Sequence, residues 1–368
     1  MSTFKYGDKM IKTRDIMVLV PSMLIAVVVL SLPRMLAGVT NAADGWIPIV
    51  VSGIVAILLA WFVAKLASFF PNQSFLEYAS SLVSKPIAVI LTLLFALEGI
   101  LITAFEVRAI GVISEQYLFR NTPIEIITLS FLWVVVYAVS GSRAGIFRLN
   151  SLFLPFIFIA VIILVFFSIG YMELSNVLPV FKTDVQGYMQ GTMKSALSYS
   201  GIGVLFFYIA FVRQPKRAPG MAAVGMGFVV MLYVLIYFTC IAVFGSATEV
   251  LRLPIIDLAK AIEIPGGFFE RIESVFYVIW IMGIFTTTAI SFDIAVLAIT
   301  LVFPKLNKIK VTLCLTPLIF IITTMPKDYI EVEQFGNYVS YLDLGLIFFV
   351  TILLWGMYLI RGVKKREK

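Results

Sequence analysis

The sequence predicts an all-α integral membrane protein with ten transmembrane helices, arranged as a five-plus-five inverted repeat in which helices 1 and 6 are discontinuous. Three observations predict this fold class. The 368-residue chain is 61% hydrophobic and 13% charged, with a mean hydropathy of +1.03, more apolar surface than a water-soluble fold of this size buries. Ten apolar runs approach the roughly 20 residues that a bilayer crossing needs. The first and sixth of these runs are interrupted.

The ten runs lie at 16–33, 46–64, 86–118, 126–142, 149–172, 195–212, 218–248, 274–298, 311–326 and 344–360. No linker divides them, so we expect a single transmembrane domain over 1–368, with repeat one at about 12–172 and repeat two at about 190–362. An odd number of helices in each half inverts the second half relative to the first. Inverted repeats of this kind place their binding site near the midplane, where interrupted helices meet.

Basic residues are concentrated in the segments that would share one side of the membrane with the N-terminus, as with Lys12, Arg213, Lys305 and the tail after Arg361. Positive residues are retained on the cytoplasmic side, so we expect both termini in the cytoplasm. The net charge of +7 is therefore a topology signal that requires no nucleic acid.

Two segments outside the apolar runs are predicted to be helical. "PNQSFLEYASSLVSKP" (71–86) has apolar residues at helical spacing and predicts a short amphipathic helix between spans 2 and 3. "SATEVLRLPIIDLAKAIEIPGG" (246–267) predicts a second short helix, ended by the Pro-Gly-Gly sequence at 265–267.

Span 1 is interrupted at "VVVLSLPR" (27–34), where Ser31 and Pro33 stand among valines and leucines. We expect a half-helix to begin near Ser31–Leu32, with Pro33 in its first turn and its amides and positive dipole end facing an anion. A simple proline kink is the alternative. The candidate ligand-binding residues here are Val27, Val28, Leu30 and Ser31.

Span 6 is interrupted at "ALSYSGIGVLFF" (196–207), where two glycines flank one isoleucine. Glycine destabilises a helix interior by about 1 kcal/mol relative to alanine and allows close approach to the backbone. The candidate ligand-binding residues are Tyr199, Ser200, Gly201, Ile202 and Gly203, with Tyr199 placed to cap a small ligand.

Span 3 carries Glu98 near its middle, with Glu106 and Arg108 nearer the outer surface. Charged residues in a span usually face the protein interior or water. Glu98 is therefore a candidate ligand or proton contact, with a buried hydrogen-bonding role as the alternative, and Ile102 is a candidate apolar contact. We expect Glu106 and Arg108 to line a wet vestibule or to form structural pairs.

Span 8 carries the hydroxyl-rich sequence "FTTTAISFD" (285–293), in which Thr287 and Ser291 share a helix face with Thr288 beside them. These three residues are candidate pocket residues, and hydrogen bonding of their hydroxyls to the helix's own carbonyls is the alternative. Asp293 and Asp343 are expected to make interhelical hydrogen bonds.

The sequence offers little for catalysis. It contains no histidine, no phosphate-binding loop and no nucleophile–base pattern, so we expect no enzyme activity and no catalytic residue. Its two cysteines, Cys240 and Cys314, lie in separate apolar runs and indicate neither a disulfide nor a metal site. No cofactor is expected, and a bound ion is left open.

Several motifs together resemble one family, the B subunits of the nutrient germinant receptors of bacterial endospores (the GerAB family), within the amino acid–polyamine–organocation (APC) transporter superfamily. They are "LSLPR", "NAADGWIPIVVSG", "FPNQSFLEY", "RNTPIEII", "GIFRLNSLFLPF", "NVLPVF" and "FFERIESVFYVIWI", in this order along nearly the whole chain. The resemblance implies an APC/LeuT-like fold and nutrient sensing in the spore inner membrane. It also implies a complex with a membrane A subunit and a lipoprotein C subunit.

Sodium-coupled members of that superfamily hold their ion between span 8 hydroxyls and carbonyls at the span 1 break, and some proton-coupled members use a span 5 lysine, which residues 149–172 lack. We expect a receptor subunit that binds a small nutrient, such as an amino acid, in a central pocket and signals to its partners to trigger germination. The alternatives are a proton- or sodium-coupled amino-acid transporter and a scaffold subunit.

Overall fold

A computed structural model describes residues 11–262 and 272–366. Every long element in these ranges is a helix. The α-helices are α1 Thr13–Leu24, α2 Val28–Ala37, α3 Trp46–Ser68, α4 Phe75–Leu82, α5 Lys85–Tyr117, α6 Ile124–Ser140, α7 Arg143–Ser168, α8 Val185–Leu197, α9 Val204–Tyr208, α10 Ala218–Phe244, α11 Pro254–Ala261, α12 Ile272–Val302, α13 Lys308–Thr323 and α14 Tyr329–Arg366.

Six described helical stretches are long and apolar enough to cross a bilayer, and the chain is an integral membrane protein. These stretches are Ala42–Ser68, Lys85–Tyr117, Arg143–Tyr171, Pro215–Glu249, Glu273–Val302 and Tyr329–Ile360. The α1–α2 pair passes the same test when taken together. Helix α6 is apolar but shorter, with 17 residues.

Helices α5 and α12 form the centre of the bundle. The apolar stretch of α12 is 83% buried inside the protein, whereas that of α7 is only 28% buried and faces outward. Gly99 of α5 lies against the backbone of α12, where a Cβ atom would come 2.6 Å from the carbonyl oxygen of Ser291. The absence of a side chain at Gly99 therefore allows the two central helices to approach closely.

The helix of span 1 is interrupted at residues 25–27, and α1 and α2 bend by 60° there. The expected start near Ser31–Leu32 is wrong, because α2 begins at Val28 and Pro33 lies in its second turn. Ser31 lies within α2, and its hydroxyl donates back to the Val28 carbonyl, 3.1 Å away. The break lies one turn earlier because side chains from distant helices satisfy the carbonyls exposed there, as described below.

A second interruption separates α8 from α9 at residues 198–203. Gly201 has a φ of +105°, a conformation that residues with a side chain rarely adopt. The glycine signal in the sequence thus coincides with the position at which the backbone leaves the helix.

The two short helices outside the spans are also present. Helix α4 begins with a capping box, in which the Ser74 hydroxyl accepts from the Glu77 amide and the Glu77 carboxylate accepts from the Ser74 amide. Helix α11 lies in the predicted 246–267 segment. The predicted end at Pro265–Gly267 falls outside the described residues.

Candidate functional site

Side chains from α10 and α12 satisfy the carbonyl groups exposed at the first break. The acceptors and donors are Ser22 with Thr286 and Thr287 (3.0 Å each), Met23 with Thr287 (3.2 Å), Leu24 with Tyr233 (2.7 Å) and Ala26 with the Trp280 indole (3.0 Å). A broken helix at membrane depth needs such partners because no water satisfies its backbone there. The break is therefore built by three helices, and only one of them carries the interruption.

Glu106 of α5 lies against the same break, close to the Val27 amide. Its side chain is 3% exposed, and its Oε2 atom has no hydrogen-bond partner within the described structure. The Ser198 hydroxyl, at the second break, is also buried without a partner. Since buried polar groups are nearly always paired, these two oxygens indicate a place for a donor from a ligand or water.

The second break is held by α14. The Gly201 amide donates to the Asp343 carboxylate over 2.6 Å, and Ser200 Oγ lies 3.3 Å from Ser340 Oγ. The Ser198 carbonyl also accepts from Tyr233, 3.1 Å away, the residue that caps the first break. The two breaks are thus joined through one tyrosine hydroxyl.

Glu98 and Asp343 form a pair of buried carboxyl groups below the second break. Glu98 is 4% exposed and Asp343 is fully buried, and their side chains are hydrogen-bonded to each other. Neither forms an ion pair with a cation of the described residues. Two carboxylates in contact cannot both be ionised at low dielectric, so we expect the pair to hold a proton, which would satisfy the otherwise unpartnered Asp343 Oδ1.

Two small cavities lie at the breaks. The inner cavity, of about 30 Å³, is lined by Met23, Leu24, Ala26, Val28, Ile102, Phe105, Glu106, Ser198, Ser200, Thr287, Val339 and Ser340. The outer cavity, of about 40 Å³, is lined by residues of α2, α5 and α14 together with Leu253. Val28, at the start of α2, contributes to both. A water needs roughly 10–15 Å³ by this measure, so each cavity has room for a few waters only.

Ion pairs close the structure on both sides of these cavities. Arg34 of α2 pairs with Glu333 of α14, which lines the outer cavity. On the other side of the cavities, Asp293 lies buried near the C-terminal end of α12. It forms ion pairs with Arg143 at 2.7 Å and Lys308 at 3.2 Å, and it accepts from the Tyr208 hydroxyl at 2.9 Å. Asp293 makes the expected interhelical hydrogen bonds, accepting from Arg143 of α7 and Tyr208 of α9, and ion pairs accompany them.

The structure brings only some of the predicted site residues to a cavity. Val27, Val28, Ser31, Ile102, Ser200 and Thr287 line one or both cavities. Leu30, Glu98, Tyr199, Gly201, Ile202, Gly203, Thr288 and Ser291 line neither. Three of these have other partners: the Tyr199 hydroxyl donates to the Ile49 carbonyl, Thr288 bonds back to Ile284, and Ser291 bonds back to Thr287. Gly201 contributes its amide to Asp343 instead.

Several residues around the two breaks have roles in the structure that the sequence did not indicate. Glu106 was expected in a wet vestibule or a structural pair, yet it is buried at the break. Ser340 carries no signal beyond being a polar residue in an apolar run, whereas Asp343, expected to make interhelical hydrogen bonds, accepts one from the Gly201 amide. Trp280 and Tyr233 stand among many aromatics, so nothing in the sequence distinguishes them as caps for distant carbonyls.

The chain is similar to spore germination proteins over nearly its whole length. A family model described as "Spore germination protein" matches residues 10–332. The chain is 38% identical to spore germination protein GerLB of Bacillus cereus, over 98% of this chain and 97% of that protein. It is 31% identical to spore germination protein YndE of Bacillus subtilis (strain 168), over 94% and 95%.

Solved transporter structures share the fold. MhsT in complex with L-phenylalanine superposes with a TM-score of 0.70 at 14% identity, over 92% of this chain and 87% of that one. Mhp1, a nucleobase-cation-symport-1 family transporter in a closed conformation with bromovinylhydantoin bound, gives a TM-score of 0.72 at 13% identity, over 97% and 80%. The chain therefore shares the overall fold of these two proteins.

Proposed function

The chain belongs to the spore germination protein family, and from that premise we propose that it is a germinant receptor subunit that binds a small nutrient between its two helix breaks. The nutrient class we propose is an amino acid. Binding changes the conformation of the bundle, and partner subunits receive that change and trigger germination.

One observation carries the proposal: a buried carboxylate oxygen, Glu106 Oε2, stands without a partner at the inner cavity. An ammonium group supplies the missing donor, and the Ser198 hydroxyl can accept from the same group. A binding place for the ligand's carboxylate is provided by the first turn of α2, because the start of a helix has amides without intrahelical partners and carries a partial positive charge. A zwitterion therefore fits with its ammonium at Glu106 and its carboxylate near Val28.

The size of the cavity supports a sensor that must open. At about 30 Å³ it holds a few waters, so binding requires the surrounding helices to separate. The outer cavity and the Arg34–Glu333 pair lie beside the same α2 helix. Nutrient entry by that route would break this pair and displace α2 from α14, and we propose this movement as the signal.

The fold shared with the two solved structures supports the helix arrangement that we propose, and membership of the spore germination protein family supports the proposed location and partners. We infer ten membrane crossings in two inverted halves of five, with both termini on the cytoplasmic side, in the spore inner membrane. The proposed partners are a membrane A subunit and a lipoprotein C subunit. We further infer binding without a coupled sodium ion, because the Thr286 and Thr287 hydroxyls donate directly to the carbonyls of Ser22 and Met23, which an ion at this position would have to displace.

A proton-coupled amino-acid transporter is the second candidate, and the Glu98–Asp343 pair favours it. A proton held beside the span 6 break could enter and leave as that break moves, because Asp343 binds both Glu98 and the Gly201 amide. Transport then requires many turnovers by this chain alone, whereas a receptor binds its nutrient once and responds through its partners.

The test is a calorimetric binding screen of the purified chain against amino acids, with glycine and alanine first because the cavity is small. We expect Glu106→Gln to weaken binding of the selected amino acid at least tenfold. The matched control is Glu125→Gln, at the exposed start of α6. Binding that survives Glu106→Gln unchanged contradicts the site. Uptake of the bound amino acid by proteoliposomes, lost in a Glu98→Gln, Asp343→Asn double variant, would favour the transporter.

A further inference from the structure

A basic groove opens where α3 ends and the chain turns into α10, away from the cavities. It has a volume of about 720 Å³ and is lined by Lys65, Ser68, Phe69, Pro71, Arg213, Gln214, Pro215, Lys216 and Arg217. Four of its nine lining residues are cations, and none is acidic. This volume is within the range of ligand pockets.

Three of the four cations in the groove have no acidic partner among the described residues. Lys65, Lys216 and Arg217 form no ion pair with an acid in the part of the chain that the structure describes. Lys216 and Arg217 are exposed, and Lys65 instead lies over the rings of Trp61 and Phe69, at 5.9 and 5.3 Å from their centroids. Converging cations without acidic partners attract an anion with several oxygens, such as a phosphate.

Aromatic side chains locate the groove at the level of the lipid headgroups. Phe69 stacks on Tyr358 with ring centroids 4.8 Å apart, and the Trp355 indole donates to the Phe62 carbonyl over 3.1 Å. Belts of Trp and Tyr mark the membrane–water interface. Along α3, one to two turns from Lys65, Leu58 and Phe62 are 53% and 43% exposed and face the hydrocarbon.

We propose that this groove binds the phosphate of an anionic phospholipid, with the acyl chains lying along the exposed face of α3. A positive-inside bias alone accounts for scattered cations on this side. It does not account for a concave groove that joins three unpaired cations to an interfacial aromatic cluster and an apolar track. This combination suits a ligand with a charged head and an apolar tail, and basic pockets of this kind are a recognised mode of lipid binding.

The test is native mass spectrometry of the full chain in detergent, with phosphatidylglycerol and phosphatidylcholine in competition. We expect the parent protein to retain phosphatidylglycerol in preference to phosphatidylcholine. The triple variant Lys65→Gln, Lys216→Gln, Arg217→Gln should bind phosphatidylglycerol at least tenfold more weakly. The matched control removes three exposed cations outside the groove: Lys85→Gln, Lys305→Gln, Lys310→Gln. The affinity of this control for phosphatidylglycerol should stay within twofold of the parent's. In the groove variant, Lys65→Arg in place of Lys65→Gln restores one charge and should recover part of the affinity for phosphatidylglycerol.

Two results would overturn the proposal. An equal loss in the groove and control variants means that the lipid responds to overall charge alone. Displacement of phosphatidylglycerol by millimolar inorganic phosphate means that the groove takes a soluble anion and not a lipid. Unfolding of the groove variant is checked by its elution profile and helicity, and the Lys216→Gln, Arg217→Gln double variant, which changes exposed side chains only, gives the same comparison with two charges.

Discussion

The substitution Gly201→Ala tests whether the second break is a required conformation. Gly201 has a φ of +105°, and holding a residue with a side chain in such a sparsely populated region costs about 1–3 kcal/mol. The added Cβ would also lie 2.8 Å from Met23 Cγ and 3.0 Å from Met23 Cε. Methionine is flexible and can move by a few tenths of an ångström, so backbone strain dominates. We expect the free energy of unfolding to fall by about 1–3 kcal/mol.

Relaxation of the backbone would not restore the site. Moving residue 201 towards a helical φ turns its amide away from Asp343, which accepts from it over 2.6 Å, and so lengthens the link between the break and α14. A loss of about 1.4 kcal/mol from the binding-competent conformation corresponds to a tenfold weaker apparent affinity. We therefore expect nutrient binding to weaken by about tenfold or more along with stability.

The assay is unfolding in mixed detergent micelles followed by tryptophan fluorescence, with nutrient affinity measured on the same samples. Gly227→Ala is the matched control, because Gly227 lies within α10 and a Cβ there would meet nothing within 4 Å. Alanine in a helix interior is favoured over glycine by about 1 kcal/mol, so the control should be at least as stable as the parent. Equal stability of Gly201→Ala and Gly227→Ala would refute the reasoning.

Three further predictions concern the contacts around the breaks. The double substitution Thr286→Val, Thr287→Val leaves the Ser22 and Met23 carbonyls without their donors, and should lower the unfolding free energy by about 1–3 kcal/mol for each group left unpaired. Thr300→Val is the control, because it loses only bonds to its own helix, and it should change the unfolding free energy little. Equal destabilisation by the two variants would argue against stabilisation of the break by Thr286 and Thr287. A Glu98→Gln, Asp343→Asn double variant should lose a protonated-carboxyl stretch from the infrared spectrum, and a spectrum that keeps every such band means that the pair holds no proton. Arg34→Gln should speed maleimide labelling of a Ser31→Cys variant in the outer cavity, whereas Arg34→Lys should not. An unchanged labelling rate in the Arg34→Gln variant would show that the Arg34–Glu333 pair does not close the outer cavity.

The helix content and short helices were predictable from sequence because they depend on local patterns. The apolar runs specify the membrane helices. Ser74 and Glu77, three residues apart, form the capping box that specifies the start of α4. The glycines at 201 and 203 mark the second break for the same reason, since backbone freedom is a local property.

The exact position of the first break was not predictable, because distant residues determine it. Pro33 is the strongest local signal, yet the helix breaks at 25–27, where Trp280 and Thr287 reach carbonyls more than 250 residues earlier in the chain. Glu106 shows the same limitation. Counting along span 3 placed it towards the outer surface, but it lies against the first break, close to Val27.

The capping of the first break also constrains how the protein is made. Helix α1 leaves the ribosome long before Tyr233 and Trp280, so the carbonyls of Leu24 and Ala26 are synthesised well ahead of their donors. In a nascent chain that ends before α10, these carbonyls can be satisfied only by a straighter helix, by water or by the insertion machinery. The carbonyls at the bend in span 1 therefore have their full set of side-chain donors only after α12 has been made.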